Sequence, residues 1–283
     1  MFYYKKCSDV NFEEVYEAFK IGFSDYIIKI DVSLDMFEKR FFGPEGNRLE
    51  HSFIAFDDQK PVGLILGGIK VYEGIRTLRC GTLCIHPDYR GTEVSHTLFK
   101  LHKELALENK CKQLFLEVIV GNDRAIKYYR KKGYVKVYDI DFFTLNNPQL
   151  LQTQEVNPFL INQIDFNQLS MLQSQLKDNH INWQNDFDYF KQIDDCAYYG
   201  VFKDSNLIGG LNIHPNGKVS FLWIHPDYRY LGLAKKLIHQ ASIDLNIAKL
   251  RINFPNNMSL MGFVQHLGFD KDELTQYEMI HTL

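Results

Sequence analysis

Basic charge is what the 283-residue chain most plainly lacks: 32 lysines and arginines stand against 35 aspartates and glutamates, a net charge of -3. A protein that tracks a nucleic-acid backbone needs a positive footprint, so no nucleic-acid partner is expected. No apolar run approaches the length of a bilayer span, and the opening Met-Phe-Tyr-Tyr-Lys-Lys lacks the apolar core of a secretory signal. No membrane partner is expected either. Cysteine is scarce, five in all, an odd number without Cys-x-x-Cys spacing. Such cysteines read as buried thiols in a reducing compartment, which predicts a cytoplasmic protein. His225, His239 and His266 stand too far apart in sequence to argue for a metal, and core or surface roles are expected for them. With 45% hydrophobic and 24% charged residues the chain has the composition of folded proteins. Its length suits two domains of about 140 residues each.

What the chain does have is a hexapeptide that occurs twice, Ile-His-Pro-Asp-Tyr-Arg at Ile85–Arg90 and again at Ile224–Arg229. Each copy follows an apolar, β-branched run and precedes a small or apolar turn and an amphipathic helix pattern. A strand that feeds a helix N-terminus through a short loop makes an anion site, because the first N–H groups of the helix have no partner within it. Pro87 and Pro226 by themselves would mean no more than the end of a strand. Two identical copies in similar surroundings point instead to a duplicated functional unit.

In the first half, Phe2–Lys6 reads as an opening strand. A helix is expected over about 11–23 with Ser8 or Asp9 as cap, and another over Leu34–Phe41 capped by Ser33. Between them, Ser24-Asp25-Tyr26 is either a plain loop or the wall of an acceptor pocket. Strands are expected at Ser52–Phe56, Val62–Tyr72 and Thr77–Ile85, and Arg90–Ser95 opens a helix. Gln113–Val120 has the apolar look of a central strand, and Asn122–Lys132 is a short helix ended by Gly133. Tyr134–Tyr138 and Asp141–Leu145 close the half as two strands. The interleaving predicts an α/β or layered α+β architecture. The polar stretch 147–157 reads as a linker, so the expected domains are 1–146 and 158–283. In the second half, 166–176 has a helical pattern, and the aromatics Trp183 and Phe187–Phe190 pack together or line a second pocket. Ala197–Lys203, Leu207–His214 and Lys218–Ile224 read as consecutive strands.

Asn122, Ala125, Tyr129, Gly133 and Tyr134 follow the spacing Asn, Ala three on, Tyr seven on, Gly-aromatic eleven and twelve on. In these residues the first half resembles the GNAT superfamily of N-acetyltransferases. The family's pyrophosphate loop, Arg/Gln-x-x-Gly-x-Gly/Ala, is met fully by Arg229-Tyr230-Leu231-Gly232-Leu233-Ala234 in the second half. It is met in part by Arg90-Gly91-Thr92-Glu93-Val94-Ser95 in the first. Leu116-Glu117-Val118 is similar to the subgroup that acetylates protein N-termini, ribosomal proteins among them. The resemblance implies two tandem GNAT-like acyl-CoA N-acyltransferase domains, each a twisted mixed sheet flanked by helices. It implies acetyl-CoA as co-substrate and an unidentified amine as acceptor, attacked directly, with Glu117 as base and Tyr129 as acid. It places the cofactor against Leu83, Cys84, Ile85 and the Arg90–Ser95 loop, with Asn122 and Tyr129 beside it, and in the second half against Trp223, Ile224 and the Arg229–Ala234 loop.

The chemistry accounts for those residue types. An amine protonated at neutral pH cannot attack a thioester until it loses a proton, and a carboxylate desolvated among Leu116, Val118 and Ile119 would have a useful pKa. A tyrosine hydroxyl can return a proton to the thiolate that leaves, and an amide N–H near Leu83–Ile85 can polarise the carbonyl. Against these stand plainer roles: Glu117 as a solvated edge residue, Tyr129 as one more aromatic of its helix. Glu93 departs from the pattern, since at about 5 Å and an effective dielectric near 20 it would repel a phosphate charge by roughly 3 kcal/mol. In the second half Val264 replaces the tyrosine, and Ile252 is expected in the place of Glu117. The first half is therefore the leading location for chemistry. Catalysis in the second half and a non-catalytic CoA-binding protein remain as alternatives, as do a monomer with pseudo-dimeric halves and a homodimer.

Overall fold

The computed structural model describes residues 1–153, 158–176 and 179–283. They divide into two compact units, Met1–Val137 with Tyr277–Leu283, and Tyr138–Gln276.

The first unit opens with β1 (Phe2–Lys6), α1 (Phe12–Gly22) and α2 (Leu34–Phe41). Asn11, not the expected Ser8 or Asp9, caps α1 reciprocally with Glu14, and Ser33 accepts the Met36 N–H at the start of α2. Each cap satisfies backbone donors that the first helical turn cannot. There follow β2 (Arg48–Asp57), β3 (Lys60–Tyr72), β4 (Ile75–Ile85), α3 (Val94–Glu108), β5 (Gln113–Ile119) and α4 (Asp123–Lys131). The sheet runs β1-β2-β3-β4-β5, antiparallel as far as β4. α3 and α4 cover one face through Leu98, Phe99, Leu116 and Ile126, and α1 and α2 cover the other through Phe19, Phe37, Ile54 and Leu64.

Parallel pairing of β4 with β5 covers only Thr77–Arg79 opposite Gln113–Phe115. Beyond that point β4 runs on to Ile85 and β5 to Ile119 without pairing, so the two strands part. A bulge marks the fork: Gly67 faces Cys80 while Leu66 faces Thr82, leaving Gly81 over. A Cβ there would lie 2.2 Å from Asn47 Oδ1, so any larger residue has to displace that buried side chain.

The chain leaves the first unit inside β6 (Val135–Asn146). The second unit continues with β7 (Phe159–Ile164), α5 (Phe166–Ser170), α6 (Phe187–Phe190), β8 (Ala197–Lys203), β9 (Asn206–Ile213) and β10 (Lys218–Ile224). Then come α7 (Leu233–Asp244), β11 (Lys249–Pro255), α8 (Met258–His266) and β12 (Asp270–Thr282). Strand order here is β6-β11-β10-β9-β8-β7. β10 and β11 pair in parallel only at Lys218–Val219 opposite Arg251–Ile252. The bulge recurs as well, at Ser220, between Val219 facing Ile213 and Phe221 facing Asn212. Counted back from the shared hexapeptide, Ser220 and Gly81 hold the same place, so the duplication extends to irregularities of register.

Four further expectations change. The two closing strands of the first half are one, β6, because the polar Asp139-Ile140-Asp141 stays extended and pairs with β11 from Ile140 onward. The helix expected over 166–176 is short and gives way at Met171–Gln175 to a 3₁₀ turn. Leu169 and Leu172, three apart and fully buried, suit that tighter period as well as an α-helix. The division between units falls at Val137/Tyr138 rather than in 147–157, and Tyr277–Leu283 returns to the first unit, where Leu283 N–H donates to Lys112 O at 2.9 Å. Within the expected linker Pro148–Leu150 forms a 3₁₀ turn, and 154–157 lie outside the described residues. Finally, Arg79 faces Phe115 as its counterpart Lys218 faces Arg251, so the residue matching Glu117 is Asn253 and not Ile252. A slip of one residue exchanges the faces of a strand.

Candidate functional site

Where β4 parts from β5, the first unit holds a cleft of about 670 Å³. Leu83, Cys84 and Ile85 line it along a stretch of β4 whose edge toward β5 has no ladder partner. At one end the loop into α3 closes it. Gly91, at φ +81, turns that loop in the left-handed region, with open space on its Cβ side. The Thr92 hydroxyl donates to Tyr89 O at 2.7 Å and accepts the Val94 N–H at 3.4 Å. The next amides, of Ser95 and His96, open α3 without intrahelical acceptors, and both residues line the cleft.

Two residues of that loop lie elsewhere than the sequence suggests. Val94 is fully buried, as the first of the inward stripe of α3. Glu93 is exposed, sits at φ -69 in ordinary helical conformation, and is not among the lining residues. Its carboxylate is thus solvated, and the repulsion of a bound phosphate falls accordingly.

Arg90 lines the cleft, but its guanidinium is engaged: Nη1 and Nη2 donate to Asp25 and Nε donates to Ile85 O at 3.2 Å. The hydrogen bonds hold the Asp25 carboxyl below its ordinary value and the arginine above its own. Asp25 and Tyr26, from the α1–α2 connection, are thus cleft residues. The Asn122 side chain accepts the Ala125 N–H at 3.2 Å, capping α4, and donates to Tyr26 Oη at 3.5 Å.

Tyr129 reaches the cleft from α4. Burial is the main reason its pKa lies well above the ordinary value, with the neighbouring Cys80 and Tyr134 adding to it, so it is a proton donor across the physiological range. The Cys80 thiol, pushed up to about 12 by burial, donates to Thr82 O at 3.6 Å. Tyr128 holds the start of α3 by donating to Ser95 O at 2.8 Å.

Glu117 has neighbours other than those the sequence suggests. Leu116 and Val118 point into the α3–α4 core, so Glu117 faces the opposite side of the sheet. There Arg79 Nη2 donates to its Oε2 at 2.8 Å, while Arg79 Nη1 donates to Glu45 Oε2 at 2.7 Å. Burial pushes the Glu117 carboxyl up to about 7, against the pull of Arg79. Among the described residues its Oε1 is buried without a hydrogen-bond partner, and it is not among the residues lining the cleft. Arg79 and Glu45 escaped the sequence reading. The available signal was a lone arginine in the otherwise apolar run Leu78-Arg79-Cys80.

In the second unit Trp223, Ile224 and Leu233 are buried and Ala234 is half-buried, while Tyr230 and Leu231 are exposed. Arg229 Nε donates to Ile224 O at 3.0 Å, as Arg90 does to Ile85. Tyr230, at φ +64, and Gly232, at φ +77, both turn left-handed before α7. Val264, fully buried, stands in the place of Tyr129. Phe187 packs against Phe190 and Phe221, so these aromatics form a core. Among the described residues no three His, Cys, Asp or Glu side chains gather as metal ligands, and no helix is long and apolar enough to cross a membrane.

The residues suit an acyl-CoA: an unpaired strand edge for amide groups of an extended arm, unpartnered amides at a helix start for a diphosphate, and a protonated hydroxyl between them.

A family model described as the acetyltransferase (GNAT) family matches the chain twice, over residues 12–134 and 168–269. N-alpha-acetyltransferase 30 of Dictyostelium discoideum is 26% identical over 141 residues, spanning 44% of this chain and 75% of that one. Among solved structures, a tandem GNAT protein from the clavulanic acid biosynthesis pathway superposes with a TM-score of 0.69 at 14% identity, covering 100% of this chain and 98% of that chain. A GCN5-related N-acetyltransferase from Sphaerobacter thermophilus gives 0.64 at 11% identity, covering 99% and 95%. At such identities the structural likeness speaks for the fold alone.

Proposed function

The chain belongs to the acetyltransferase (GNAT) family, and on that premise we propose that its first unit transfers an acetyl group from acetyl-CoA to a primary amine by direct attack. The observation that carries this is the Tyr129 hydroxyl, kept protonated on the wall of a cleft that also presents the free edge of β4 and the opening amides of α3. Acetyl-CoA supplies the activated thioester. The Ser95 and His96 amides hold a diphosphate, and an N–H of β4 past Arg79 polarises the acyl oxygen. Glu117 takes the proton of the acceptor ammonium on Oε1, by way of water, and Tyr129 gives its proton to the sulfur that leaves.

The second unit keeps the loop around Gly232 but has Val264 and Asn253 where the first has Tyr129 and Glu117. Neither can exchange a proton with a substrate, so this unit holds a CoA-type ligand without turnover. The similarity of Leu116-Glu117-Val118 to the N-terminal acetyltransferase subgroup favours a peptide α-amine as acceptor. The test is release of CoA thiol from acetyl-CoA over a panel of small amines and peptides with free N-termini. Release with at least one amine, lost on blocking the first cleft, is expected. Acetyl-CoA binding without turnover on any amine would leave a non-catalytic binding protein.

A further inference from the structure

The cleft of the first unit has no surplus of positive charge on its walls. Its charged lining residues are two carboxylates, Asp25 and Asp123, and two guanidiniums, Arg90 and Arg124, and Arg90 is engaged by Asp25. A diphosphate brings net negative charge there, which the partial charges of a helix start offset only in part. His96, on the opening turn of α3, also lines the cleft, and Lys132, just past the end of α4, stands beside it. Lys132 Nζ lies 2.8 Å from His96 Nδ1, and 5.2 Å and 5.4 Å from the ring centres of Phe99 and Tyr128. Tyr128 is itself tied to Ser95 O, so the lysine is seated between α3 and α4. Among the described residues no carboxylate pairs with Lys132, and burial lowers its pKa. An ammonium can only donate, so Nδ1 of the neutral imidazole accepts and the ring hydrogen sits on Nε2.

The duplication offers an internal comparison. Six residues after Arg229, where the first unit has His96 after Arg90, stands Lys235. Just before Gly268, where the first unit has Lys132 before Gly133, stands the buried Leu267. Between the two copies the lysine has changed helices, from the start of α7 to the end of α4, and a histidine has taken its former place. We propose that Lys132 is a positioning residue of the first unit: it fixes His96 so that Nε2–H donates to the diphosphate of acetyl-CoA, and its ammonium supplies the charge that Arg90 spends on Asp25. This rests on the acetyl-CoA binding proposed above for the same cleft.

The test sets acetyl-CoA against S-acetylpantetheine, which carries the same thioester without a phosphate, with a peptide bearing a free α-amine as acceptor. In Lys132→Met and in His96→Phe, kcat/KM for acetyl-CoA falls about tenfold through KM, while that for S-acetylpantetheine stays within about twofold. Lys132→Arg recovers most of the loss. The double variant loses no more than the worse of the single ones, because the lysine acts through the ring. Equal losses with both donors would reduce Lys132 to packing between α3 and α4 and overturn the proposal, as would an unchanged KM for acetyl-CoA. Should no amine turn over, equilibrium dialysis of CoA against the Gly232→Glu chain, in which only the first unit keeps its loop, makes the same comparison. Affinity unaltered by Lys132→Met overturns the proposal alone. No binding with Lys132 in place overturns the reading of the cleft, and the proposal with it.

Discussion

The guanidinium of Arg90 and the carboxylate of Asp25 meet fork to fork, and both residues line the cleft of the first unit. In this arrangement the arginine of the anion loop is spent on a carboxylate that a diphosphate must displace or tolerate. Asp25 is about half exposed, so the pair contributes little to folding. Asp25→Asn should therefore leave thermal stability nearly unchanged and tighten acetyl-CoA binding by about fivefold, the order of a surface ion pair. Titration calorimetry at low and high salt measures it. Equal or weaker binding in the variant would mean that Asp25 orders the loop rather than occupying its arginine.

Tyr129→Phe removes the proton donor and little else, since the ring keeps its edge contacts with Tyr128 and Tyr134. We expect kcat to fall by about 10²-fold or more, with KM for acetyl-CoA moving less than about twofold. An unchanged kcat would place the acid on another residue.

How far the sequence carried this picture depended on the range of the interaction. Most local signals held: the repeated hexapeptide located both strand-to-helix junctions, and the Ser33 cap stands where the pattern put it, while the cap of α1 fell at Asn11 rather than Ser8 or Asp9. Tyr129 is on the cleft because an N-capped helix of known period delivers it there. Glu117 shows the limit. Its chain neighbours are apolar, but in a strand they point the other way, and its partner Arg79 lies 38 residues distant. β12 was hidden because Lys271, Asp272 and Glu273 break the alternation that marks a half-buried strand. Asp25 and Arg90 come together only through the packing of α1 on the sheet.

The two anion loops differ in backbone as well as in sequence, which makes opposite substitutions informative. Glu93 already lies in helical conformation with its side chain in water. Glu93→Gly should change acetyl-CoA affinity of the first unit by less than about twofold, because an exposed charge is screened. At Gly232 a side chain meets φ +77 and brings a carboxylate to the start of α7. Gly232→Glu should cost about 1–2 kcal/mol of backbone strain and abolish binding in the second unit. Stoichiometry by equilibrium dialysis should fall from two CoA ligands per chain to one, with turnover retained. Loss of turnover in Gly232→Glu would move the chemistry to the second unit.

His102 gives the first unit a pH dependence of its own. It is fully buried on α3, and neither ring nitrogen has a hydrogen-bond partner among the described residues. Burial first, and then the charge of nearby His51, pushes its pKa down to about 3. A histidine whose folded pKa lies below its unfolded value binds more protons when unfolded, so it favours unfolding as pH falls from about 6.5 toward 3. Above that window the effect is absent, and near pH 5 it amounts to about 2 kcal/mol. Urea unfolding at neutral pH and near pH 5 should show that loss in the wild type. His102→Leu, which replaces the unpartnered ring by an apolar side chain of similar volume, should flatten the dependence whatever it does to stability at neutral pH. A variant with the wild-type slope would assign the acid sensitivity to the carboxylates or to His51.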